Sequence, residues 1–106
     1  MPEVRAYLDH RGRSPFSRWM NDLSPAVRRR IQGILGRMEE GNFGDVRPVG
    51  EGVIERRANF GPGYRIYFAW DGPELIALLG GGDKSSQQND INTAKARWRD
   101  YRERKL

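Results

Sequence analysis

The spacing of apolar residues changes character midway along the chain, and no other feature constrains the fold as strongly. Over residues 15–38 they recur every three or four positions: Phe16, Trp19, Met20 and Leu23, then Val27, Ile31, Ile34, Leu35 and Met38. That is the rhythm of helices with one buried stripe. Over residues 53–79 the runs are short and rich in aromatic and β-branched side chains, and glycine-containing breaks separate them, as in strands. A chain with both patterns packs helices on a sheet. Its 106 residues supply one hydrophobic core and no more, so residues 1–106 are expected to form a single domain.

The punctuation refines this picture. Ser14-Pro15 and Ser24-Pro25 each place a hydroxyl cap before a proline tolerated at a first helical position, which predicts two helices in a hairpin. Gly41-Asn42-Phe43-Gly44 stops the second helix, and the stretch to Gly52 is expected to be an ordered loop. Strands are expected over residues 53–60, 64–70 and 74–79, with turns at Gly61-Pro62-Gly63 and Asp71-Gly72-Pro73. Residues 3–8 alternate loosely, with Val4, Ala6 and Leu8 on one side, as a further strand beside a later one. Gly80-Gly81-Gly82-Asp83 should end the last strand. Ser85 or Ser86 should then cap a final helix whose Ile91, Ala94, Trp98 and Tyr101 share a face. The expected order is β-α-α-β-β-β-α, an α+β fold with a mostly antiparallel four-stranded sheet packed by helices.

Composition removes whole classes of chemistry. There is no cysteine and one histidine, His10, so no disulfide, thiolate zinc site or cysteine nucleophile is available, and His-based triads are nearly excluded. The acidic residues are scattered without ligand spacing, so no metal and no cofactor are expected. The longest apolar run, residues 75–79, is far short of the ~20 residues a membrane span needs. With no signal-like segment near the start, a cytoplasmic protein is expected, with no membrane partner. Lys and Arg number 19 against 14 Asp and Glu, a net charge of +5, so the expected partner is anionic, nucleic acid first and an acidic protein second. Sixteen of the nineteen cations are arginine, the side chain whose fork matches phosphate oxygens.

Individual motifs divide into ordinary and pointed ones. The glycine run before Lys84-Ser85 is not a nucleotide-binding loop, because Leu78 and Asp83 stand where that pattern needs glycine. Amides at the following helix start, with Lys84 beside them, offer a place for a phosphate group. Arg28-Arg29-Arg30 and the basic residues 95–106 read equally as solvated surface or as RNA or partner docking. His10 reads as surface, Trp19 and Trp98 as core. Strand alternation puts Arg65 and Tyr67 on one sheet face and Glu55 with Arg57 on one face of the preceding strand. An ion pair between Glu55 and a neighbouring arginine is the structural reading of that pattern.

Taken together, Asn42-Phe43-Gly44-Asp45-Val46-Arg47-Pro48-Val49-Gly50, Glu55-Arg56-Arg57, Phe60-Gly61-Pro62-Gly63-Tyr64-Arg65-Ile66-Tyr67-Phe68 and Gly81-Gly82-Asp83-Lys84-Ser85 closely resemble the RelE/ParE toxin superfamily, in its HigB-like branch of addiction-module killer proteins. Pro15-Phe16-Ser17-Arg18-Trp19 is similar to that branch as well. The resemblance implies a RelE-like fold and the toxin of a type II toxin–antitoxin pair. The activity it implies is a ribosome-dependent, metal-independent endoribonuclease that cleaves mRNA; the alternatives are a ParE-type inhibitor of DNA gyrase or an inactive RNA-binding module. Carried over by position, Arg65 would contact the scissile phosphate, Lys84 would take the place of a catalytic arginine and Arg57 would assist. Glu55 stands where a relative has a lysine, and either Glu55 or Tyr67 would move protons. Arg56, Tyr67, Arg28, Arg29 and Arg30 would contact RNA. The aromatic or histidine that relatives use for base stacking is replaced near Asp90. The implied partners are a HigA-like helix-turn-helix antitoxin, mRNA and the ribosome, with a monomer expected when no antitoxin is bound.

Overall fold

The computed structural model describes residues 1–105. Its elements are β1 (Glu3–Ala6), α1 (Pro15–Asp22), α2 (Pro25–Glu39), β2 (Val46–Gly50), β3 (Val53–Ala58), β4 (Tyr64–Asp71), β5 (Leu75–Asp83), a short 3-10 turn (Lys84–Ser86) and α3 (Gln87–Lys105). Both Ser-Pro pairs open helices. Ser14 Oγ accepts from the Ser17 amide at 3.0 Å and Ser24 Oγ from the Val27 amide at 3.3 Å, each satisfying a donor that the first helical turn leaves unpaired.

The strands form one sheet in the order β1-β5-β4-β3-β2. Neighbours are antiparallel except β1, which runs parallel to β5 with Glu3 opposite Leu75 and Ala6 opposite Leu78. Strand alternation sends Ile66, Phe68, Ile76 and Leu78 to one face, where Phe16, Met20, Ile31, Ile34 and Met38 of α1 and α2 cover them. Val53, Tyr67, Ala69, Ala77 and Leu79 go to the other face, under Ile91, Ala94 and Trp98 of α3. The central strand β4 is thus buried on both sides from Arg65 to Ala69.

Four expectations are corrected. The loop before Gly52 contains β2, an exposed edge strand, so the sheet has five strands among the described residues and is mixed. Pro48 and the terminal Gly50 disguise it, since proline is confined to edge strands and bulges and glycine weakens a strand. The glycine run does not end the last strand: Gly80, Gly81 and Gly82 pair with Tyr67, Ile66 and Arg65, and β5 continues to Asp83. They are glycines because helices press on them. A Cβ on Gly81 would lie 2.3 Å from Cε3 of Trp19 in α1, and one on Gly82 would lie 1.8 Å from Oδ2 of Asp90 in α3. Ahead of α3, Asp83 caps the 3-10 turn, its Oδ1 accepting from the Ser85 amide at 2.8 Å, so the turn that carries Ser85 and Ser86 is itself capped. Finally, β1 ends at Ala6; Tyr7 lies on the face opposite Val4 and Ala6, but that face is covered by α3, so Tyr7 is buried and Leu8 exposed, the reverse of the burial expected.

Candidate functional site

Three cationic residues lie at one end of the face that α3 covers. Arg57 on β3 stands directly opposite Arg65 on β4, and Arg65 is paired in turn with Gly82 of β5. Lys84 follows two residues later, so successive strands carry Arg57, Arg65 and the approach to Lys84. Gly63, at the turn into β4, marks where they meet: a Cβ there would lie 3.4 Å from Arg65 Nη1 and 3.5 Å from Lys84 Cβ. Arg65 is 7% exposed and held from several sides. Its Nη1 donates to the carbonyls of Gly63 and Tyr64 at 3.3 Å, and its Nε lies 3.8 Å from Glu55 Oε1 without a hydrogen-bond partner. Arg57 is half-buried beside Asp45 at 3.4 Å, and Lys84 is exposed.

Glu55 anchors this arrangement. It has no solvent contact, and both its oxygens are occupied: Oε1 by Arg47 Nε at 2.9 Å, Oε2 by the Tyr67 hydroxyl at 3.2 Å and Gln87 Nε2 at 2.8 Å. Burial would raise its carboxyl, but the hydrogen bonds from Gln87 and Arg47, the Arg47 charge and the Tyr67 hydrogen bond outweigh it and hold the group below the usual range. Tyr67 is equally buried, and burial followed by the Glu55 charge and hydrogen bond drives its phenol far up. The pair therefore supports Arg65 from beneath, and neither side chain presents an atom to solvent. The sequence reading anticipated an arginine partner for Glu55 but missed Arg47 and Gln87. Arg47 was hidden because β2 was read as loop, although as a strand it lies directly opposite Glu55.

The other candidate residues lie elsewhere. Arg56 points to the α2 side of the sheet, away from Arg57 and Arg65. Arg28 is committed to the end of α1, where its Nε donates to the Met20 carbonyl at 3.0 Å and Nη2 to those of Asn21 at 3.2 Å and Leu23 at 3.0 Å. Arg29 is exposed on α2, and Arg30 stacks on Phe60. The amides beside Lys84 do not form a vacant phosphate site, since Asp83 already fills it. Asp90 accepts from Ser86 Oγ at 2.5 Å over Gly82. A separate cavity of about 420 Å³ between α1, α3 and the β5 glycines is lined by three arginines and three aspartates, a balanced set. Among the described residues, no three of His, Asp and Glu lie together as metal ligands would, and no helix is long and apolar enough to cross a membrane.

With this geometry in view, comparison places the chain among known sequences. A family profile described as "Phage derived protein Gp49-like (DUF891)" matches residues 18–99, which take in the helical hairpin from within α1, all of β2 to β5 and most of α3. A protein of Haemophilus influenzae described as "Uncharacterized protein" is 40% identical over 81 residues, covering 76% of this chain and 82% of that relative.

Proposed function

This chain belongs to the Gp49-like family of phage-derived proteins, a toxin-type family related to RelE-like addiction modules, and from that premise we propose that it is the toxin of a type II toxin–antitoxin pair acting as an mRNA endoribonuclease on the ribosome. The observation that carries the chemistry is the row Arg57–Arg65–Lys84. Two of its members are opposed across β3 and β4, and the third leaves β5 with its Cβ beside Gly63, which Arg65 also approaches. In the proposed step the ribose 2′-oxygen attacks the adjacent phosphorus and gives up its proton, while the 5′-oxygen leaves and takes one. The products are a 2′,3′-cyclic phosphate and a 5′-hydroxyl. The phosphorane between them carries extra negative charge, and preplaced guanidinium and ammonium groups stabilise it without reorganising at the moment of reaction. Arg65 is the most rigid of the three, and Glu55, with Tyr67 and Gln87 behind it, is a positioning residue for that guanidinium. The HigA-like antitoxin belongs to the same proposal, as an acidic or groove-filling partner that silences these cations.

The test is expression in growing bacteria with mapping of mRNA 5′ ends. Wild-type chain should arrest growth and leave cuts in phase with codons; Arg65→Ala and Lys84→Ala should each lower cleavage by a factor of about 10² to 10³. Lys84 is exposed, so its variant folds whatever Arg65 contributes to stability. Growth arrest with DNA damage and intact mRNA would replace this reading with gyrase inhibition. RNA affinity with neither arrest nor cuts would reduce it to a binding module.

A further inference from the structure

The sheet face covered by α2 holds a second group of cations that the cleavage chemistry does not use. Arg30 and Arg37 stand two turns apart on α2, and Arg56 reaches the same place from β3. With Ile34, Asn59 and Phe60 they line a pocket of about 170 Å³. Arg30 is held by its guanidinium carbon lying 3.7 Å from the centroid of the Phe60 ring. Arg56 passes beneath Gly44, whose left-handed backbone (φ 62°) leaves room for it; a Cβ there would lie 2.7 Å from Arg56 Nη2. Its Nη1 donates to the Arg57 carbonyl, and its Nε is shielded from solvent without a partner.

This group gathers three guanidinium groups around one pocket without a paired counter-charge. Among the described residues, none of Arg30, Arg37 and Arg56 forms an ion pair. Asp45, whose charge Arg56 feels, is engaged by Arg57 at 3.4 Å and Asn59 at 3.5 Å. Burial and then the Arg37 charge push the Arg56 guanidinium below its usual value. Like charges gathered around a pocket and left unpaired are a cost that a bound anion relieves. We propose that the Arg30–Arg37–Arg56 pocket binds a phosphodiester group of single-stranded RNA, as a docking site on the opposite sheet face from Arg57, Arg65 and Lys84. A tetrahedral phosphate accepts from several guanidinium forks at once, and the pocket of about 170 Å³ admits a small anionic group of this kind. The inference rests on the RNA reading above and adds to it a second anchor along the strand.

The experiment is fluorescence anisotropy with a 5′-labelled thirty-nucleotide oligouridylate over a series of KCl concentrations, without ribosomes. Arg37→Gln and Arg30→Gln should each weaken binding about three- to tenfold and reduce the slope of log K against log salt by about 0.7. Arg11→Gln, which removes an exposed charge from a distant loop, supplies the control for net charge. Arg37 is itself exposed, and an unchanged thermal midpoint for its variant separates lost binding from lost fold. Pocket variants that behave like Arg11→Gln overturn the proposal. So does a pair of variants that keeps RNA affinity and loses only the co-expressed antitoxin, because the pocket would then serve an acidic protein. A reduced slope in a chain that never cuts mRNA keeps the pocket and removes the nuclease; cleavage with unaltered slopes removes the pocket alone.

Discussion

A carboxylate without solvent contact, set against two guanidinium groups as Glu55 is against Arg47 and Arg65, is stable only as a fully satisfied set. Glu55→Gln leaves Arg65 buried without its counter-charge, and we expect it to lower stability by about 3 kcal/mol, measured by urea denaturation at pH 7. The pH dependence has a definite sign. Because the folded carboxyl is held below its ordinary value, Glu55 contributes stability above the unfolded value, and the contribution is lost as pH falls through the depressed folded one. Wild type should therefore lose thermal midpoint on acidification below about pH 4.5 more steeply than Glu55→Gln; parallel curves would show that the carboxylate carries no such linkage. The side-chain alternation in the sequence was sufficient to put Arg65 on a rigid strand and to suggest an arginine for Glu55. It was insufficient to choose Arg47 or find Gln87, which reach Glu55 from β2 and from the first residue of α3, eight and thirty-two positions away.

Among the elements, β5 shows most plainly how packing overrides local signals. Three consecutive glycines read as a strand break, since glycine weakens a strand by entropy and by packing nothing. Here they remain in the ladder because Trp19 sits on Gly81 from one side and Asp90 and Arg97 approach Gly82 and Gly80 from the other. Gly81→Ala should therefore cost about 3 kcal/mol, because an indole wedged between Phe16 and Tyr64 has nowhere to move. Gly82→Ala should stay within about 1 kcal/mol of wild type, since Asp90 can swing away from a new methyl. Equal losses in chemical denaturation would refute this account of the glycines. The helices needed no such help: their serine caps, prolines and apolar stripes are contiguous in the chain and were readable from it. β2 was not, because an exposed edge strand with Pro48 and Gly50 carries no alternating apolar pattern.

For the molecule as a whole, both helical layers bury their apolar faces against one sheet, and β4 contributes to both cores. Neither layer has a partner without the sheet, so unfolding should be a single transition. Calorimetry should give an enthalpy of about 70 kcal/mol near 60 °C with equal calorimetric and van't Hoff values; two resolved steps would mean that the α1–α2 and α3 sides fold independently. The sequence alone determined the element types of the two hairpin helices, the central strands and the last helix, the basic charge, and the resemblance to the toxin superfamily, since each depends on neighbouring residues or on counting. Only the tertiary structure decided which cations share a surface. Arg56 and Arg57 are adjacent in the chain yet open to opposite sheet faces, one joining Arg30 and Arg37 and the other Arg65. Period-two alternation separates neighbours, and only long-range strand pairing and helix docking supply the companions on each side.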